Sequence, residues 1–147
     1  MSKKIKNSPA KKGMINPNTV NLKTSEEYPV FSFRYLTTNK NYTLDCFAKA
    51  QKNERGRTAN ELFLKLLFIS NNSWKNLGLS DKYTSYETIQ YVQLNFQPNE
   101  LIIKPDEKIH IFRFGHDNNS RLICYKKNTT LFIIGYDFNF SAYDHGS

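Results

Sequence analysis

The C-terminal segment of the chain carries the side chains that are most capable of chemistry. From Asp137 onward polar groups occupy alternate positions, and an extended strand would bring them to one side: Asp137, Asn139, Ser141, Tyr143 and His145. A histidine with a pKa near neutrality can move protons in both directions. The pattern is compatible with an active-site edge, but on its own it favours the polar outer side of an ordinary edge strand, so the other elements must decide.

Motifs for other kinds of site do not fit this segment. Asp137-x-Asn139-x-Ser141 starts like a calcium-binding loop, but the turn glycine and the terminal glutamate are missing. The three histidines lack the ligand spacing of a zinc site. A metal-dependent enzyme remains an alternative that the spacing does not support, and it would use four residues: His116, Asp117, Asp144 and His145. There is no P-loop, nucleophile elbow or dinucleotide fingerprint. We therefore expect no metal and no cofactor.

Length and composition indicate a single folded domain. The chain has 147 residues, of which 39% are hydrophobic and 14% aromatic, enough for a packed core. Cys46 and Cys124 lie far apart inside apolar patterns, which favours reduced, buried thiols in a cytoplasmic protein. No run approaches the ~18 apolar residues of a membrane span, and no apolar signal segment follows the N-terminal lysines.

The positive charge is concentrated at the N-terminus. The formal net charge is +8, from 21 Lys and Arg against 13 Asp and Glu. Residues 1–24 hold six lysines and no acid, which leaves 15 basic and 13 acidic residues in the remainder. We interpret residues 1–27 as a flexible lysine-rich arm, either merely solvated or attracted to nucleic acid. Residues 28–147 then form one domain, and the near-neutral balance is that of residues 25–147.

The first half of the domain predicts one strand followed by helices. Residues 28–38 alternate, and their aromatic side should face the core. Helical spacing follows over 44–51. A capping-box sequence at 58–61 predicts the start of a helix whose apolar stripe continues to Leu77 before Gly78 ends it. These segments predict two helices, or one broken helix.

The second half of the domain predicts strands joined by short loops. Residues 79–90 look like a polar excursion, and short strand candidates lie on either side of Pro98. Three further segments have strand patterns, the last two joined as a hairpin: 108–115, 121–126 and 130–138. Local connections favour an α+β fold, with an antiparallel sheet of four to five strands and two helices after the first strand packed on one face.

The stretch "FRFGHDNNSRLICYKKNTTLFIIGYDFNFSAY" resembles the C-terminal half of RelE/YoeB/HigB-type toxins, the endoribonucleases of toxin–antitoxin pairs. Those proteins typically show a basic strand, a turn, an Arg-Leu-Ile/Val strand, and an apolar strand leading into polar residues and a tyrosine. The corresponding parts here are "HIFRFG", "RLICY", "LFIIGYD" and "NFSAYDH". The order of elements agrees from Tyr28 to His145, and the residue pattern agrees from Ile109 to His145.

The resemblance implies a metal-independent endoribonuclease that cleaves mRNA, on the ribosome or free of it, by attack of a 2′-hydroxyl on the phosphate. Arg121 matches the strand arginine that contacts the scissile phosphate, and Arg113 matches a basic residue on the preceding strand. Such arginines stabilise the charge that grows in the transition state. Tyr143 and His145 occupy the positions of acid–base residues. The residues predicted to bind RNA are Lys126, Lys127, His116 and Asp137.

The partners implied by the resemblance are mRNA, the ribosome and an antitoxin protein, with no small-molecule ligand. The alternative is a noncatalytic RNA- or protein-binding module of the same fold. The near-neutral domain favours it, and so does Asp137, where such toxins have a basic residue. Arg121 would then pair with Asp117 or Glu107. Tyr143 would be an aromatic anchor.

Overall fold

The computed structural model of the chain describes residues 28–48, 55–115 and 118–145. The predicted arm at 1–27 and residues His116 and Asp117 lie outside this part. The helices and strands of the described residues are β1 Val30–Ser32, α1 Asp45–Ala48, α2 Arg55–Ser70, α3 Trp74–Leu79, β2 Tyr86–Gln90, β3 Lys108–Phe114, β4 Ser120–Lys127 and β5 Thr130–Asp137. None of these helices is long and apolar enough to cross a membrane.

The strands form one five-stranded sheet in the order β1-β5-β4-β3-β2. The strands from β2 to β5 pair antiparallel with their neighbours, as expected for segments joined by short loops. The α+β class is therefore confirmed. The expectation of a wholly antiparallel sheet fails at one edge, because β1 pairs parallel with β5. The helices and the strands β2 to β4 lie between β1 and β5 in the sequence, so no tight turn joins this pair and a parallel arrangement is possible.

Both faces of the sheet are covered. One face packs against the helices, and its buried residues include Ile69 and Leu77 from α2 and α3. The other face packs against the loop between β2 and β3 and against the segment after β5, through buried residues that include Phe96, Ala142 and Tyr143. Because both faces are buried, β4 carries a continuous buried run over 121–125 rather than a simple alternation.

The helix boundaries differ from those predicted. The helix α2 begins at Arg55, before the capping-box sequence, and ends at Ser70 rather than continuing to Leu77. A separate helix, α3, follows, and the Ser73 hydroxyl accepts a hydrogen bond of 3.1 Å from the backbone N–H of Asn76 at its start. The sequence predicted a single helix because the apolar spacing continues across this cap. It continues because both helices bury residues against the same face of the sheet.

Two strand predictions were wrong. The polar excursion at 79–90 contains β2, which pairs with β3 along its whole length. The candidates around Pro98 are a 3-10 turn at Tyr91–Gln93 and irregular chain. The strand β2 forms because it pairs with an edge of β3 that would otherwise be free. The sequence of β2 itself does not indicate this pairing. In addition, β1 is short, and Phe33 after it is half exposed rather than in the core.

The extended C-terminal stretch that the alternation predicted does not form. The last strand ends at Asp137, whose carboxylate accepts hydrogen bonds from three backbone N–H groups that follow it. Phe140 has a φ of 58°, a left-handed conformation that turns the chain. The segment therefore folds back over the sheet and buries Ala142 and Tyr143 as consecutive residues.

Candidate functional site

The site lies where β3 and β5 end and β4 begins. The β3–β4 register places Arg113 opposite Arg121, and the β4–β5 register places Arg121 opposite Asp137. Both arginines share the side of the sheet with the buried residues Ile111 and Ile123, away from the helices. Hairpin geometry thus brings together residues that are far apart in sequence.

Glu87, on β2, links Arg113 to the C-terminal segment. Arg113 Nη2 donates to Glu87 Oε1 at 2.9 Å, and the Tyr143 hydroxyl donates to Glu87 Oε2 at 3.2 Å. Burial acts to raise the pKa of Glu87, but the hydrogen bond and charge of Arg113 outweigh it and hold the pKa below its usual value. The Tyr83 ring covers the Arg113 guanidinium at 4.6 Å. We call Arg113, Glu87, Tyr143 and Arg121 the arginine network.

Tyr143 is a buried hydrogen-bond donor in this network. Its side chain is 4% exposed. Burial, and then the charge of Glu87, raises its pKa to about 12, although the Arg121 guanidinium, a hydrogen-bond partner of the hydroxyl, acts in the opposite direction. The hydroxyl therefore keeps its proton at neutral pH and is not a base there.

Arg121 is held mainly by its own turn. It is 4% exposed, and Nη1 donates to the carbonyl oxygens of Asn118 at 2.6 Å and Ser120 at 3.2 Å. Phe140 stacks over the guanidinium with 5.0 Å from Cζ to the ring centre. The interpretation that Arg121 pairs with Glu107 is wrong, because Glu107 accepts from Tyr125 at the opposite end of the strand. A phosphate could reach Arg121 only if Phe140 moved aside.

Asp137 organises the C-terminal turn instead of facing solvent. It is completely buried. Oδ1 accepts from the backbone N–H groups of Asn139 and Ser141, and Oδ2 accepts from Ala142 at 2.9 Å. These bonds position Tyr143 one residue later. The burial contradicts the prediction that Asp137 contacts RNA directly.

His145 packs on the outer side of the network. Its ring lies 4.1 Å from the Tyr143 ring and 5.2 Å from the Phe140 ring, measured between centres. Burial, followed by the charge of Arg121, lowers the pKa of His145, so the imidazole is neutral at physiological pH. The predicted residues Arg113, Arg121, Tyr143 and His145 therefore meet in one place. The sequence missed Glu87, which alternation within "YETIQ" could have placed on a strand.

The other predicted RNA-binding residues do not join this site. Lys126 lies five residues along β4 from Arg121, about 17 Å away, and its Nζ sits 4.7 Å from the Trp74 ring centre on the helix side of the sheet. Lys127 lines a separate groove with Tyr35. His116 lies outside the described residues.

The described residues place no group of three or more His, Cys, Asp or Glu side chains where they could hold a metal ion. The two guanidinium groups of the site are balanced by the nearby carboxylates of Glu87 and Asp137. Each arginine nevertheless has a buried Nε without a hydrogen-bond partner in the structure. Chemically, the site is a nearly closed polar network with two spare donors.

Comparison with known proteins gives one similar sequence. No protein-family model matches the chain, and no solved structure matches it significantly. An uncharacterized protein of Ureaplasma parvum serovar 3 is 25% identical over 160 aligned positions, which cover 100% of this chain and 87% of that protein.

Proposed function

We propose that the chain is a cytoplasmic, noncatalytic protein-binding module, and that its contact surface is the outer face of α2. This face comprises Phe63, Leu64, Leu67 and Phe68, which are 68%, 55%, 50% and 40% exposed. A helix that is apolar on all sides is normally buried on all sides. A contiguous patch of large apolar side chains on a folded domain is typical of an interaction surface.

The surroundings of the outer face support this proposal. A depression of about 300 Å³ lies beside it, with Leu64 and Phe68 on one wall and Arg113 and Gly115 on the other. Lys65, which follows Leu64 in the sequence, donates to the Thr84 carbonyl at 3.1 Å, and its Nζ lies 5.0 Å from the centre of the Phe68 ring at the edge of the patch. The outer face therefore has an apolar centre, with a depression and a lysine at its margin, and contact surfaces are commonly built in this way.

The arginine network supports the noncatalytic part of the proposal. Its donors are largely used by groups of the same domain, and its carboxylate, Glu87, opposes the approach of a polyanion. A group that serves the fold in this way contributes to stability without contact to substrate.

Affinity capture with three versions of the chain tests the proposal. Leu64→Glu with Leu67→Glu places two charges in the outer face, and Ile102→Glu is the matched control, because Ile102 is 95% exposed and lies outside that face. We expect proteins to be retained by the wild type and by the control and lost by the double variant, with unchanged circular dichroism. Hydrogen exchange should then show protection of α2 in the recovered complex. Equal retention by all three versions would contradict the proposal.

A second candidate is the RelE-like endoribonuclease, which would act on mRNA, at the ribosome or free of it, and be neutralised by an antitoxin. The convergence of Arg113, Arg121, Tyr143 and His145 favours it. The two spare Nε donors would suit a phosphate. Neutral His145, exposed at the rim, would accept a proton and, once protonated, would donate it.

Cleavage of mRNA by purified protein, with and without ribosomes, tests this candidate. Arg121→Ala should lower cutting by about 10²-fold or more if the guanidinium holds the transition state. Because Arg121 is buried, His145→Ala provides a second variant at an exposed position. Undiminished cutting by both folded variants would remove the mechanism.

A further inference from the structure

We propose that the partner of the outer face of α2 is a second copy of the same chain. Two α2 helices would pack antiparallel around a two-fold axis that passes between Lys65 and Leu66. This inference rests on the proposed function, because it names the occupant of that contact surface.

The sequence of the exposed side of α2 reads almost the same in both directions. Around the point between residues 65 and 66, Leu64 mirrors Leu67 and Phe63 mirrors Phe68. One turn further out, Asn60 mirrors Asn71, which directly follows the helix. All six residues are exposed. A two-fold interface requires this property, since residue i must contact residue j while j contacts i.

Helical geometry arranges these residues as one symmetric strip. The spacing of four, three and four residues places Asn60, Leu64, Leu67 and Asn71 in a line along the helix. Phe63 and Phe68 lie on opposite flanks of that line. In an antiparallel pair, leucines would therefore meet leucines at the centre, and each Phe63 would lie near Phe68 of the other copy.

The strip points away from its own domain. The opposite side of α2 carries Leu62, Leu66 and Ile69, which pack against the sheet. The ends of the strip are amides rather than charges, so two copies would meet without like-charge repulsion at its margins. The nearby charges of α2, Arg57 and Glu61, already pair with each other at 3.3 Å. The Lys65 ammonium lies over the Phe68 ring on one flank of the strip, so the two-fold axis would place its two copies on opposite sides of the pair. A second copy is thus complementary to this strip in spacing and polarity.

One pair of short helices gives a contact smaller than the standard interface of about 1,600 Å². We therefore expect a reversible dimer whose population depends on concentration. Sedimentation equilibrium over a concentration series should show a monomer–dimer equilibrium for the wild type and for Ile102→Glu. Leu67→Glu should shift the dissociation constant at least tenfold toward monomer. A wild type that stays monomeric throughout the series would overturn the proposal.

Disulfide trapping tests the orientation without disturbing the apolar centre. The variants Asn60→Cys and Asn71→Cys would be mixed and oxidised, since the native cysteines Cys46 and Cys124 are buried. The antiparallel arrangement brings position 60 of one copy next to position 71 of the other. It keeps the two copies of position 60 about 16 Å apart along the axis, too far for a disulfide. We expect cross-linking in the mixture and little in either variant alone.

Three results would contradict the orientation or the partner. Efficient cross-linking of Asn60→Cys with itself would indicate a parallel pair and contradict the two-fold arrangement. A monomeric chain whose outer face still retains another protein would overturn self-association and leave the protein-binding function in place. A monomeric chain with no binding that depends on this face would overturn both.

Discussion

The arginine network and the outer face of α2 differ in how fully the domain provides contact partners for their side chains. The network contains the most reactive side chains of the site, yet Arg121 and Tyr143 are each only 4% exposed and bond to the same domain. The outer face contains no reactive group, yet it leaves Phe63 at 68% and Leu64 at 55% exposed. The domain itself provides contact partners for the side chains of the arginine network. It leaves the apolar side chains of the outer face exposed.

The comparison shows that chemical capability and availability are separate properties. A buried donor with an internal acceptor contributes chiefly to the fold, because removing its partner leaves a desolvated group unpaired. An exposed apolar side chain gains free energy only when a partner covers it. Changes in the network should therefore affect stability, and changes in the outer face should affect association.

The largest loss of stability is expected at the base of the network. Asp137→Ala would leave one buried and two partly buried backbone N–H groups without an acceptor, at about 1–3 kcal/mol each when fully desolvated. We expect a total loss of roughly 3–5 kcal/mol in the free energy of unfolding, measured by urea denaturation. Asp137→Asn keeps one acceptor oxygen and should lose less. Asp106→Ala, in an exposed turn, is the control and should change little.

A comparably large effect is expected from pH on the helix side of the sheet. Burial, and then the charges of Lys126 and Lys108, lowers the pKa of His110 from its usual value of 6.5 to about 4. On acidification, His110 therefore binds a proton at a higher pH in the unfolded chain than in the folded chain. Stability is complete above about pH 6.5, falls between 6.5 and 4, and levels off below, by roughly 3 kcal/mol in total.

His110→Phe isolates this contribution. Its Nδ1 is buried without a hydrogen-bond partner, so the aromatic replacement removes the titration while keeping the contact to Tyr86. The slope of unfolding free energy against pH between 6.5 and 4 should flatten. His145→Ala, at the exposed rim of the network, should leave most of the slope. An unchanged slope in His110→Phe would contradict the assignment.

Sequence reasoning succeeded where a local rule determined the arrangement. Apolar alternation located β3, β4 and β5, and hairpin pairing was enough to place Arg113 beside Arg121. It failed where the partner is distant in sequence. Glu87 was missed because β2 is a short edge strand with polar residues, and its pairing comes from β3.

Two other failures have the same origin. The turn after Asp137 requires three later backbone N–H groups to converge on one carboxylate, and alternation cannot indicate such convergence. The orientation of α2 was also hidden, because apolar residues occur on all its sides and spacing does not specify which side meets the sheet. In both cases the competing conformations look equally good locally and differ only in tertiary contacts.

Two glycine substitutions, one in the core and one in α2, should differ in their effect on the free energy of unfolding, and the difference should be of intermediate size. A Cβ on Gly135 would lie 2.5 Å from Phe96 Cζ, in a core where Phe96 stacks on Tyr42 at 4.7 Å between ring centres. Gly135→Ala should therefore destabilise by about 1–3 kcal/mol through overpacking. A Cβ on Gly56 of α2 meets nothing within 4 Å, so Gly56→Ala should be neutral or stabilise by up to about 1 kcal/mol. Thermal denaturation of both variants measures the difference, and equal shifts would contradict it.

The smallest expected difference is in the coupling energy of two ion pairs, one from the arginine network and one from α2. Arg113 and Glu87 are 2.9 Å apart with side chains 14% and 23% exposed, whereas Arg57 and Glu61 on α2 are 3.3 Å apart with 54% and 26% exposed. Double-mutant cycles should give a coupling energy of about 1–2 kcal/mol for the first pair and about 0.3–0.5 kcal/mol for the second. Solvent screens the α2 pair, so 1 M salt should abolish its coupling and leave much of the other. Equal couplings would mean that the network is as open to water as the surface of α2, and a phosphate could then reach Arg113 directly.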